Sequence, residues 1–170
     1  MSLFSLKPSE HPLIAGGGLF LLTLGTALVI GERMPRYRGR WLTIGFILGG
    51  MLAAIGAGVG GPYGSPTRLQ VGSLVLAILV EMAAIPLVLK RFPGIPARER
   101  TLVILLIVGL HFFIMLPAFG GAIGLLGVLC LCNVAWAHWH TRYQTPAVST
   151  ADGILKAAVG LLMVYLALLG

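Results

Sequence analysis

The sequence has few charged residues and only two cysteines. Charged residues make up 10% of its 170 positions, whereas an ordinary soluble domain has about 25%. A chain of this length keeps much of its surface exposed after folding, so a hydrophobic content of 58% is too high for a water-soluble fold. These proportions exclude a soluble enzyme, a disordered chain and a disulfide scaffold, and they predict a multi-pass membrane protein.

Motifs that carry well-defined chemistry are also missing. The sequence has no glycine-rich phosphate loop, no His-Glu-x-x-His zinc motif and no Ser–His–Asp arrangement. Cys130 and Cys132 stand two positions apart in an apolar run, where a helix directs them to nearly opposite faces, so they cannot pair or chelate one metal. A haem held by two histidines is disfavoured because only His111 lies deep in an apolar run. We therefore expect no enzymatic activity, no metal site and no cofactor.

Long apolar runs predict helices that cross a bilayer, which takes about 20 residues at ~1.5 Å each. Residues 101–138 form one apolar stretch, too long for a single span, and Pro117 with Gly120 and Gly121 marks the place where the chain would fold back. A re-entrant segment after Pro117 is the alternative. The sequence thus predicts an all-α bundle of six spans in one transmembrane domain, at residues 12–31, 41–60, 69–89, 101–118, 122–138 and 153–170.

Basic residues are concentrated in alternate loops. The net charge is +7, and loops 32–40, 90–100 and 139–152 are the basic ones, whereas loop 61–68 carries only Arg68. Positive loops stay cytoplasmic, so six spans place both termini outside, and we expect a bacterial inner-membrane protein that does not bind nucleic acid. Contacts with anionic phospholipids are expected at the basic side chains Arg36, Arg38, Arg40, Lys90 and Arg91.

Glycine is unusually frequent. The chain has 24 glycines, about twice the usual share. Small residues four positions apart let helix backbones approach closely in lipid, where packing drives association. We expect such contacts, either within the chain or with another protomer or protein, at Gly45, Gly49, Gly50, Gly58, Gly120 and Gly124.

Polar residues inside the predicted spans carry the functional signal, because a polar group in hydrocarbon is costly unless something uses or satisfies it. Glu81 lies nine residues before Lys90, and His111 lies eleven residues after Arg100. These separations correspond to depths of ~13 and ~16 Å from the cytoplasmic side. If their faces meet, they form a carboxylate–imidazole pair that can hold or pass a proton near neutral pH. The alternative is a structural pair that locks two helices together.

Four further polar residues are predicted to line a path beside this pair: Thr23, Thr26, Cys130 and Asn133. The alternative for the threonines is a hydrogen bond to their own helix backbone. Lys156 lies near the cytoplasmic end of the last predicted span, and we expect its side chain to reach the headgroup layer.

Residues 108–117, with the sequence VGLHFFIMLP, resemble a Gly-Leu-His-Phe…Pro stretch of small uncharacterised multi-pass bacterial membrane proteins. The resemblance implies that Gly109, His111, Phe112 and Pro117 belong together. It implies no activity.

Three functions are consistent with these features. The first is a small proton- or cation-coupled transporter or channel for a small solute, in which Glu81 exchanges a proton and His111 relays it. The second is a non-catalytic accessory subunit or assembly factor of a larger membrane complex. The third is a lipid-binding membrane protein, and a homo-oligomer is compatible with each of them.

Overall fold

A computed structural model shows an all-helical protein. It describes residues 10–59, 64–140, 142 and 144–169, without the side-chain surroundings of residues 57–59. Within these ranges there is no strand, and one 3-10 turn at Pro35–Tyr37 accompanies seven α-helices. The helices are α1 (Ile14–Arg33), α2 (Arg38–Val59), α3 (Arg68–Arg91), α4 (Ala97–Ile114), α5 (Leu116–Phe119), α6 (Gly121–Trp139) and α7 (Thr145–Leu169).

Five helices in the described part of the chain are long and apolar enough to cross a membrane. They are α1, α2 together with the turn before it, α3, α6 and α7. α4 differs because its first turn contains Arg98, Glu99 and Arg100. Its apolar part, residues 101–114, is ~21 Å long. The predicted all-α class is therefore confirmed, with five helices suited to span a bilayer and α4 as a shorter apolar helix.

The last helix begins earlier than the sequence predicted. Residues 139–152 were expected to form a loop, whereas α7 starts at Thr145. Pro146 occupies the second helical position, where its missing N–H costs nothing and its fixed φ suits the first turn. Because the helix includes this polar stretch, it carries Ser149 and Asp152 into the interior, where both are buried.

The long apolar stretch reverses at the predicted place. α4 ends at Ile114, the single turn of α5 follows, and α6 begins at Gly121. Gly120 makes the break, with φ 70° and ψ −160°, a conformation that only glycine adopts without strain. α6 then runs back along α4, so that Gly109 packs beside Cys130 and Leu131.

α1 lies at the centre of one half of the bundle. It packs along its whole length against α2 and α7, whereas α6 packs against α4 and α7, and α3 packs against α4 and α5. The apolar core lies where these groups meet. Its largest buried side chains include Ile14, Leu21, Phe112, Ile123, Leu126 and Met163.

A close helix contact joins α1 and α7 through four glycines. A Cβ at Gly18 would lie 2.7 Å from the carbonyl oxygen of Gly160, and a Cβ at Gly25 would lie 2.5 Å from that of Gly153. Each pair of glycines is seven residues apart on its helix, so the two pairs form antiparallel faces two turns long. None of these four glycines was among the predicted packing positions, although the seven-residue spacing on both helices is visible in the sequence.

The predicted glycines divide between several environments. Gly45 and Gly49 pack against α1, where Gly49 meets the hydroxyl of Thr23, so this contact lies within the chain. Gly124 packs against the side chain of Leu116, and Gly120 forms the turn described above. Gly50 has nothing within 4 Å among the described residues. The surroundings of Gly58 lie outside the described residues.

Candidate functional site

Glu81 and His111 meet between α3 and α4. The Nε2 atom of His111 lies 3.3 Å from Oε2 of Glu81, and the His111 side chain is 7% exposed while that of Glu81 is 32% exposed. The carboxylate–imidazole pair, which the sequence predicted only if the two helix faces meet, is therefore present. Nδ1 of His111 is buried and makes no hydrogen bond of ordinary geometry within the described part of the chain. The backbone of Val108, one turn earlier, is the group that interacts with the imidazole ring.

The sequence of α3 places Glu81 on an inward face made of polar and small residues. Gln70, Ser73, Ala77 and Glu81 follow the three- and four-residue spacing of one helix face, and the first three are buried. Gln70 also forms a capping box with Thr67 that starts the helix. The opposite face is exposed and apolar, with Leu79 59% and Met82 69% exposed. A helix with its polar face inward and its apolar face outward suits a lipid environment.

A second buried pair lies on α7. Nζ of Lys156 contacts Oδ2 of Asp152 one turn earlier, and both side chains are almost fully buried. The expectation that Lys156 reaches the headgroup layer was therefore wrong. Because α7 begins at Thr145, Lys156 lies eleven residues into the helix, ~17 Å from its start, and its side chain turns inward to the carboxylate.

Phe112 joins the two pairs. Its ring lies beside that of His111, with centroids 4.4 Å apart, and Nζ of Lys156 is 5.6 Å from its ring centroid. Such a contact places a cation over an aromatic face. The ammonium group also acts electrostatically on both Glu81 and His111. The two pairs therefore form one electrostatic unit.

Cys130 is the only predicted path-lining residue that reaches this unit. It is fully buried on α6 and interacts with Asp152 and Lys156. Cys132 is exposed, as expected for a residue on the opposite face of the helix. We call Glu81, His111, Cys130, Asp152 and Lys156 the central cluster; they come from α3, α4, α6 and α7.

The other predicted path-lining residues lie elsewhere. The hydroxyl of Thr23 donates to the carbonyls of Leu19 and Phe20 at 2.9 Å. Thr26 donates to the carbonyl of Leu22 at 2.7 Å. Both hydroxyls therefore hydrogen-bond to the backbone of their own helix, which is the alternative given for the threonines in the sequence analysis. Both threonines line a groove between α1 and α2, away from the central cluster.

Asn133 connects two helices. Its Nδ2 donates to the carbonyl of Val148 at 3.1 Å, which ties α6 to the first turn of α7. This hydrogen bond links α6 to the start of α7 and helps to fix the position of the helix that carries Asp152 and Lys156. Asn133 therefore supports the central cluster from outside it.

Asp152 was not among the predicted site residues, because its polar surroundings at 139–152 predict a loop by composition. The available signal was the four-residue spacing between Asp152 and Lys156, which places opposite charges on one helix face. Two of the five acidic residues in the sequence, Glu81 and Asp152, belong to the central cluster. Within the described residues, no three His, Cys, Asp or Glu side chains come together in a way that could hold a metal ion.

The predicted lipid-contact residues lie at helix ends. The guanidinium groups of Arg36 and Arg40 lie 5.8 and 5.5 Å from the ring centroid of Tyr37. Arg38 pairs with Glu32 at 2.8 Å. Lys90 and Arg91 form the last turn of α3. These positions are compatible with the edge of a bilayer on one side of the bundle.

Comparison with known protein families assigns the chain to a family. A family model described as a family of unknown function (DUF6609) matches residues 13–168, almost the whole chain, so the protein belongs to that family. No curated protein and no solved structure matches the chain. The expectation that no family of known activity would be recognised is thus confirmed.

Proposed function

We propose that this member of the DUF6609 family is a small membrane transporter coupled to protons, with Glu81 as the group that takes up and releases the proton. His111 receives that proton or passes it on. The observation that carries the proposal is the 3.3 Å contact between the two side chains, which joins α3, a helix long and apolar enough to cross a bilayer, to the apolar part of α4. A carboxylate and an imidazole at this distance can share or exchange a proton near neutral pH.

We further propose six membrane crossings, with α4 and α5 together as the fourth. α1 packs antiparallel to both α2 and α7, and α4 packs antiparallel to α6, which supports alternate crossings. In this arrangement the basic loops after α1, α3 and α6 share the cytoplasmic side, and both termini are outside. The arginines near Tyr37 and the end of α3 would then meet anionic headgroups of the inner membrane.

Buried polar residues support a route for the proton across the bundle. In the proposed orientation, α3 enters from outside, so Gln70 and Ser73 lie nearest the outer surface and Glu81 lies deeper. α7 enters from the cytoplasm, so Ser149 lies nearest that surface and Lys156 lies deeper. All of these except Glu81 are buried. The central cluster would connect the two halves of this route.

Solid-supported membrane electrophysiology tests the proposal without knowledge of the solute. A rapid pH change should produce a transient charge displacement when a proton enters or leaves the interior of the reconstituted protein. We expect Glu81→Gln to abolish the transient. The matched control is Glu99→Gln, because the Glu99 side chain is 41% exposed at the start of α4. A transient of wild-type size in Glu81→Gln would contradict the proposal.

A further inference from the structure

The central cluster contains an unequal number of opposite charges. Glu81 and Asp152 are acidic, Lys156 is basic, and His111 is neutral unless it is protonated. With both carboxylates ionised and the imidazole neutral, the cluster carries one net negative charge. An uncompensated charge within a membrane-spanning bundle is costly, so the cluster is expected to bind one positive charge.

Lys156 sets this balance, because it supplies the only cation there. Its ammonium group contacts Asp152 on its own helix and lies 5.6 Å from the ring centroid of Phe112 on α4. It also acts electrostatically on His111 of α4, Cys130 of α6 and Glu81 of α3. α1 packs along the other side of α7 and has no charged residue between Ile14 and Gly31. No other charged group of the described residues buried in the bundle can replace Lys156.

We infer that Lys156 makes the central cluster a site for a single proton and closes it to metal cations. This inference rests on the proposed function and names the ion to which it couples. Asp152 stays ionised because it is paired with Lys156. The proton is therefore exchanged at Glu81 and His111. A metal cation beside Glu81 would be repelled by the ammonium group of Lys156, which acts electrostatically on that carboxylate. It would also find only the two oxygen donors of one carboxylate, because the second carboxylate is paired with Lys156.

Charge-changing variants of the cluster test the inference, because each variant should have a different number of carboxyl groups that exchange a proton. Asp152→Asn leaves Lys156 and Glu81 as a neutral pair, so the Glu81 carboxyl group should stay ionised throughout the pH range in which it titrates in the wild type. Asp152→Asn with Lys156→Gln restores the single negative charge, and Glu81 should exchange again. Lys156→Gln alone leaves two uncompensated carboxylates, and both should exchange. The wild type should show one.

Fourier-transform infrared difference spectra between acidic and alkaline pH count these groups through the carbonyl stretch of the protonated carboxyl. The exposed carboxyl groups titrate in every variant, and the spectrum of Glu81→Gln with Asp152→Asn serves as the blank that removes them. Thermal unfolding in sodium, calcium or choline chloride gives a second readout. Sodium or calcium should raise the midpoint of Lys156→Gln relative to choline, and should leave the wild type unchanged.

Two results would overturn the inference. One is a titrating Glu81 carboxyl that persists in Asp152→Asn, and the other is a wild type that sodium or calcium stabilises. If Lys156→Gln does not fold, Asp152→Asn and the double variant still decide. Should this pattern hold while the wild type gives no charge displacement on a pH change, the proposed transport function fails but the role of Lys156 in the site stands.

Discussion

Replacing Gly160 by alanine should push α1 and α7 apart and destabilise the bundle. A Cβ at Gly160 would lie 2.6 Å from two backbone atoms, the carbonyl oxygen of Gly18 and the amide nitrogen of Leu22, and 3.0 Å from Cβ of Leu21. Ordinary contact begins at 3.4 Å, and backbone atoms cannot rotate out of the way. Overpacking of this kind costs about 1–3 kcal/mol.

The matched control is Gly50→Ala. A Cβ at Gly50 meets nothing within 4 Å in the part of the chain that the structure describes, and alanine is favoured over glycine inside a helix by about 0.5–1 kcal/mol. Gly50→Ala should therefore leave the stability unchanged or raise it slightly. The two substitutions add the same methyl group to helices of the same bundle, so they differ only in what that group meets.

The free energy of unfolding can be measured by titration with dodecyl sulfate in mixed micelles, followed by tryptophan fluorescence. We expect the free energy of unfolding of Gly160→Ala to be about 1–3 kcal/mol lower than that of the wild type. The losses caused by Gly18→Ala and Gly160→Ala should not add in the double variant, because the two positions face each other. Equal stabilities for Gly160→Ala and Gly50→Ala would refute the reasoning, because the α1–α7 contact would then be looser than the structure shows.

Two further predictions concern residues around the central cluster. Asn133→Ala removes the hydrogen bond to the Val148 carbonyl and should lower the free energy of unfolding in the same titration by about 0.5–1.5 kcal/mol. The charge displacement on a pH change should persist in this variant. Loss of the displacement at unchanged stability would contradict a purely supporting role for Asn133. Gly120→Ala forces a side chain into the conformation with φ 70° and should cost about 1–3 kcal/mol; a stability like that of the wild type would show that this turn can relax.

Much of the fold follows from composition and spacing. The apolar runs predicted the helices, and Pro117 with the paired glycines predicted where the long run reverses. Helical rise alone placed Glu81 and His111 at similar depths, and the two side chains meet. These properties depend on local geometry, so they can be read from a single sequence.

The remaining features depend on which faces meet. The rise per residue does not show that α1 packs against α7, so the four glycines between them were overlooked. The start of α7 was misplaced because Thr145, Pro146 and Ser149 resemble a loop by composition, although each suits a first turn or a buried face. Once this start was misplaced, Lys156 seemed shallow and Asp152 seemed to lie outside the membrane.

The pairing of Asp152 with Lys156 within one helix has a consequence for how the protein is made. Opposite charges one turn apart can find each other as soon as the helix forms, before any neighbour is present. α7 can therefore enter the bilayer as an electrically neutral segment, although it carries two charged side chains. Had the partner of Lys156 been on another helix, each segment would have crossed the insertion machinery with a bare charge, at a cost of about 2.5–3.5 kcal/mol near the helix centre.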